Sequence, residues 1–154
     1  MKKISCEVLT ALRGKTLVTA ESLTGGGIGA ALTAISGSSE VYKGGVISYT
    51  NAVKSSVLGV PEQVLQEQGA VSAPTALAMA RGVRELLRAD VAVSVTGLAG
   101  PGGDEFGNPV GTVFIGYADG LRTQVRHFVF SGSREDVRLQ TVKAALELIL
   151  EFSE

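Results

Sequence analysis

Apolar positions recur along this chain in two rhythms, and the places where one yields to the other mark its elements. Ile4, Val8, Leu9 and Leu12 share one face of a helical repeat, which predicts a short amphipathic helix near residues 4 to 13. Lys15-Thr16-Leu17-Val18-Thr19-Ala20 then reads as a strand, and a glycine-led helix from about 24 to 36 follows it. Gly45-Val46-Ile47-Ser48-Tyr49 predicts a second, buried strand. Thr50 or Asn51 is placed to cap a helix through Val53, Lys54, Val57 and Leu58, which Gly59 stops. Pro61 suits the first turn of another short helix that ends at Gly69. Ser72 followed by Pro74 starts a longer one through Leu77, Met79, Val83, Leu86 and Leu87.

Asp90 to Thr96 predicts a third strand, and a glycine-rich loop runs from Gly97 to Pro109. Val110 to Ala118 and Leu121 to Phe130 form a hairpin around the turn pair Asp119-Gly120. Ser133 with Asp136 three residues on reads as a capping box, opening a last helix to about Glu151. Strands alternating with helices, closed by a hairpin, predict a three-layer α/β/α sandwich on a mixed β-sheet. It is expected to form a single domain over residues 1–154. Ligands of such sheets bind beyond the carboxyl ends of the strands, which here gathers Ser22, Tyr49, Thr96 and their loops.

Composition narrows what such a crevice would serve. A hydrophobic content of 45% in 154 residues allows a substantial core. A formal net charge of -1 argues against a nucleic-acid surface. No apolar run reaches the ~18 residues of a membrane span, and the N-terminus lacks a signal-peptide apolar core. The single cysteine, Cys6, forms no internal disulfide, and a reducing cytoplasm is the expected compartment. Exposed apolar helix faces on a small sandwich lead us to expect a homo-oligomer.

The run Glu21-Ser22-Leu23-Thr24-Gly25-Gly26-Gly27 places a hydroxyl at the end of a strand and glycines at the start of a helix. Free N–H groups at a helix start attract a phosphate or a developing oxyanion. Ser22 needs a base, and Lys54 can serve once burial or a neighbouring positive charge, such as a helix N-terminus, brings its pKa to roughly 7 to 8. Tyr49 is positioned to hydrogen-bond both and relay the proton. The same residue types also fit a capping serine, a strand aromatic and a solvated lysine, and residue identity alone leaves both accounts open. His127 reads as a strand surface residue, and with one histidine no His-based metal cluster is expected. No metal or cofactor is implied. Arg134 opens the last helix, where a cation is disfavoured without a negative partner, so it is preferred over Arg138 as a phosphate contact.

Several segments together resemble one family. Thr19-Ala20-Glu21-Ser22-Leu23-Thr24-Gly25-Gly26, Gly45-Val46-Ile47-Ser48-Tyr49-Thr50-Asn51, Lys54, Gly69-Ala70-Val71-Ser72, Thr96-Gly97-Leu98-Ala99-Gly100-Pro101 and Pro109-Val110-Gly111-Thr112-Val113 occur in that order. The pattern is similar to the C-terminal domain of the competence/damage-inducible protein CinA, whose active members are nicotinamide-nucleotide amidohydrolases. The resemblance covers nearly the whole chain. It implies a member without the N-terminal molybdopterin-binding-like domain of full-length CinA proteins. It also implies hydrolysis of the carboxamide of nicotinamide mononucleotide to nicotinate mononucleotide and ammonia. Ser22 would be the nucleophile, assisted by Tyr49 and Lys54, with Thr96 and Arg134 completing the site. Leu23 departs from the family pattern, where cysteine is frequent.

On this reading Thr24, Gly25 and Gly26 hold the oxyanion, while Arg134 and the loop from Gly97 hold the phosphate. A non-catalytic nucleotide-binding module competes with it, because Gly25-x-Gly27-x-x-Ala30 satisfies a dinucleotide fingerprint. Against that module, no acidic residue ends the second strand, where Tyr49 stands instead. The other rival is an inactive relative kept for protein contacts.

Overall fold

A computed structural model describes residues 1–153. The elements run α1 (Lys2–Ala11), β1 (Leu17–Glu21), α2 (Gly27–Thr33), β2 (Tyr42–Ile47), α3 (Asn51–Ser56), α4 (Glu62–Glu67), α5 (Ala73–Leu87), β3 (Val91–Gly97), β4 (Thr112–Ala118), β5 (Thr123–Val129) and α6 (Arg134–Phe152). The five strands lie in the order β2-β1-β3-β4-β5. β1 pairs in parallel with both β2 and β3, while β4 and β5 are antiparallel to their neighbours.

The pleat sends alternate side chains of the central strands to two separate cores. Val93, Val95, Val113 and Ile115 face α1, α2 and α6, where Val8, Ile28, Leu32, Leu146 and Ile149 meet them. Val18, Ala20 and Ala92 face the other way, toward Leu58, Met79 and Val83 of the α3–α5 segment. Helices therefore cover both faces, as the alternation of strands and helices predicts. Because β1 is followed by a crossover to β2 on one side and flanked by β3 on the other, the strand order reverses at β1. That reversal opens a crevice at the carboxyl ends of β1 and β3.

Most predicted caps hold. Thr50 accepts a hydrogen bond from the Val53 N–H, and Ser72 caps α5 with Pro74 in its first turn. Ser133 and Asp136 form a reciprocal capping box on α6. Most element ends shift by up to three residues, and two elements differ in character. β2 starts at Tyr42, lies at the sheet edge with alternating exposure and ends before Ser48, so it is not a fully buried strand and Tyr49 stands in the loop beyond it. α2 begins only at Gly27, because Gly25 (φ 57°) and Gly26 (φ 104°) are left-handed and hold the preceding residues in a turn.

Candidate active site

The turn that carries Ser22 sits at the crevice. The Ser22 N–H donates to the Val95 carbonyl of β3, which continues the β1–β3 ladder for one more residue. Beyond it the chain turns back: the Gly25 N–H bonds the Ser22 carbonyl at 3.1 Å and the Gly27 N–H bonds the Thr24 carbonyl at 3.0 Å. α3 then delivers Lys54 from the β2 side. Its side chain is only 1% exposed, and its Nζ donates to Ser22 Oγ at 3.0 Å and to the Ser48 carbonyl at 2.7 Å. Thirty-two residues separate the hydroxyl from the amine, and the tertiary fold puts them in direct contact.

Neither partner of Lys54 is charged. The ion pairs among the described residues, Arg122 with Asp119 and Arg126 with Glu151, lie elsewhere. Burial without a counter-ion disfavours the ammonium and lowers the Lys54 pKa to about 8. The cause is desolvation, where sequence reasoning also allowed the helix N-terminus.

A cavity of about 310 Å³ opens above the pair. Ser22, Tyr49, Lys54, Thr96, Gly97 and Arg134 all line it. Thr96 is buried, and its hydroxyl donates to the Ala70 carbonyl at 2.7 Å, tying the end of β3 to the segment before α5. Gly97 leaves room for the neighbouring strand, since a Cβ there would lie 2.7 Å from the Thr112 carbonyl oxygen. Arg134 spans the mouth: Nη1 donates to the Gly100 carbonyl at 2.7 Å and Nη2 to Tyr49 Oη at 3.1 Å. A larger groove of about 610 Å³ adjoins through Asn51, but its polar lining includes Glu62 and Glu105 and no basic side chain.

Three expected contacts fall outside this cavity. Thr24, Gly25 and Gly26 are not among its lining residues. The Thr24 hydroxyl donates to Glu21 at 2.6 Å, and the Gly25 N–H is spent on the Ser22 carbonyl. The start of α2 already holds an anion of the protein's own. Glu21, 2% exposed, accepts the N–H groups of Ile28 at 2.8 Å and Gly29 at 3.0 Å. A buried carboxylate at that positive end leaves no place for a phosphate. Tyr49 also departs from its expected geometry, since its hydroxyl meets Arg134 and makes no bond to Ser22 or Lys54. It is 58% exposed at the rim.

Three residues take places at the turn and cavity that residue identity alone had not assigned to them. Leu23 lines the cavity, and among the described residues its N–H donates to no protein acceptor. Ser48 supplies the carbonyl that holds Lys54, while its own buried Oγ has no partner among the described residues. Arg138 donates from Nε to the Leu23 carbonyl at 2.9 Å and from Nη2 to the Thr24 carbonyl at 3.2 Å. Only the position of Leu23, directly after the candidate nucleophile, was a signal readable beforehand.

Comparison with known proteins agrees with this arrangement of elements. The family model described as the CinA C-terminal domain matches residues 1–153. The chain belongs to the CinA family. A CinA-like protein of Geotalea daltonii is 52% identical over 133 residues, covering 86% of this chain and 32% of that protein. One from Syntrophus aciditrophicus is 48% identical over 141 residues, covering 91% and 34%. The chain thus spans about a third of the length of the curated CinA relatives it matches. Among solved CinA-family structures, the competence/damage inducible protein CihA from Agrobacterium tumefaciens superposes with a TM-score of 0.96 at 39% identity, covering 99% of this chain and 95% of that one. The competence damage-inducible protein A (ComA) from Klebsiella pneumoniae gives 0.96 at 37%, covering 98% and 95%.

Proposed function

We propose that this CinA-family chain is an amidohydrolase that uses Ser22 to hydrolyse the carboxamide of nicotinamide mononucleotide. The observation that carries the reading is the contact of 3.0 Å between Lys54 Nζ and Ser22 Oγ, made by a buried lysine with a lowered pKa. A neutral amine has one lone pair and two N–H groups. With one N–H on the Ser48 carbonyl, the lone pair is free to face the serine hydroxyl and take its proton.

Ser22 Oγ then attacks the carboxamide carbon, and the carbonyl π electrons move onto oxygen. The Leu23 N–H supports the oxyanion, in the role the residue after the nucleophile plays in other hydrolases; one such donor is worth about 3 to 4 kcal/mol. Lys54 returns the proton to the departing nitrogen, which leaves as ammonia, and an ester of Ser22 remains. Water attacks that ester with Lys54 again as base, releasing nicotinate mononucleotide and the free serine. Arg134 at the cavity mouth fits the nucleotide phosphate, with Thr96 and Gly97 among the residues that line the cavity.

Ammonia release from nicotinamide mononucleotide, followed with the native protein and with Ser22→Ala, tests the reading. Native turnover with a loss of at least ~10³-fold in Ser22→Ala is expected. Robust turnover by the variant would remove Ser22 as nucleophile. Binding of a dinucleotide with no ammonia release would favour a non-catalytic nucleotide-binding module instead.

A further inference from the structure

The turn after Ser22 is soft in itself. Two successive left-handed glycines, Gly25 and Gly26, follow the serine, and no strand or helix ladder spans residues 23 to 26. Glycine restricts its own backbone least, so such a turn needs to be held from outside. Glu21 holds it on one side through the Thr24 hydroxyl and the first N–H groups of α2. On the other side stands α6, anchored by its capping box. Arg138 reaches from α6 to the Leu23 and Thr24 carbonyls, and one turn on, Val142 packs so close that a Cβ on Gly27 would lie 3.0 Å from it.

A trans peptide is planar, so its C=O and N–H point in opposite directions. Fixing the Leu23 carbonyl toward Arg138 therefore fixes the Thr24 N–H away from α6. The Ser22 carbonyl, bound by the Gly25 N–H, orients the Leu23 N–H in the same manner. Neither the Leu23 nor the Thr24 N–H has a protein acceptor among the described residues. Arg138 lies one helical turn from Arg134, so a single helix reaches both the mouth of the cavity and the turn that carries the hydroxyl.

We propose that Arg138 is a positioning residue: its guanidinium fork fixes the Leu23–Thr24 and Thr24–Gly25 peptide planes and, through the turn they close, the aim of the Ser22 hydroxyl and the Leu23 N–H. This rests on the reading of Ser22 as a nucleophile. A planar fork reaches two carbonyls at once, which the single ammonium of lysine does not reproduce.

The test compares the native protein, Arg138→Ala and Arg138→Lys. Ammonia release is measured, and so is the rate at which a fluorophosphonate labels Ser22, a reaction that needs no carboxamide. A misplacement of ~1 Å at a reacting group costs up to ~10²-fold. In Arg138→Ala we expect kcat and the labelling rate to fall together by roughly 10- to 100-fold. KM should stay within about twofold and the pH dependence should not move, because Arg138 touches neither substrate nor Lys54. Ethylguanidinium should restore part of the rate, and Arg138→Lys should fall between the two.

Labelling and turnover within twofold of native in Arg138→Ala would overturn the proposal. So would a loss without guanidinium rescue that tracks a lowered thermal midpoint, and Arg138→Lys keeps that comparison available if the alanine variant fails to fold. Native protein that labels at Ser22 yet releases no ammonia would remove the amidohydrolase reading alone. In that case the slowed labelling of Arg138→Ala still supports the positioning role.

Discussion

Glu21 and Lys54 are both neighbours of Ser22, one along the chain and one through space, and both are almost fully buried. Their surroundings differ in kind. Glu21 sits at the positive end of α2 and accepts the Thr24 hydroxyl and the N–H groups of Ile28 and Gly29. Its charged form is satisfied, and its work is structural. Lys54 meets a hydroxyl and a carbonyl with no carboxylate, so burial presses it toward the neutral amine. Burial alone therefore does not mark a reactive group. What marks it is a buried charge whose neighbours do not stabilise the charged form.

The largest expected effect falls on the lysine. Lys54→Met should lower ammonia release by about 10² to 10⁴-fold, the range of a lost general base. Native rates should rise through about pH 8 as the amine loses its proton. A flat profile, together with an active Lys54→Arg, would put Lys54 in the same structural class as Glu21.

Glu21 should answer in stability. Glu21→Ala strands the N–H groups of Ile28 and Gly29 in the interior, and a loss of about 3 kcal/mol in urea unfolding is expected. A variant with native stability and no activity would reverse the roles assigned to the two residues.

Linkage sharpens the contrast further. The unfolded chain keeps the Lys54 proton up to about 10.5, while the folded chain releases it near 8. Between those values the unfolded state binds more protons, so stability rises with pH across that window. Below it the folded state carries a constant cost, on the order of 3 kcal/mol. Urea unfolding of native protein and Lys54→Met at pH 7 and pH 10 should show the native protein gaining on the variant by up to ~3 kcal/mol. An unchanged gap would mean that burial leaves the amine unperturbed.

The smallest effect concerns Tyr49. Its hydroxyl meets Arg134, so Tyr49→Phe should cost only a few-fold, mainly in KM, on the scale of about one hydrogen bond. A hundredfold fall in kcat with a displaced pH profile would restore the tyrosine as a proton relay.

Much of this architecture was legible in residue order. The capping box at Ser133 and Asp136, the Asp119-Gly120 hairpin and the cap at Ser72 are local interactions, written within four residues of one another. The edge position of β2 was not legible, because strand order depends on partners far along the chain. The Ser22 turn shows the same limit at finer scale. Its glycines pointed to an anion site at the helix start, yet Glu21, one residue before the serine, already occupies that end.

Family resemblance and local pattern together were enough to nominate the hydroxyl beyond β1 and the amine on α3 as candidates. Short-range physics sets those elements: apolar periodicity, caps and turn residues act between neighbours in sequence. The tertiary structure alone decided that Lys54 touches Ser22 directly, that Tyr49 belongs to Arg134, and that Arg138 grips the turn. Such contacts join residues 32 to 115 positions apart, and they follow from how the layers pack rather than from any segment's own preference.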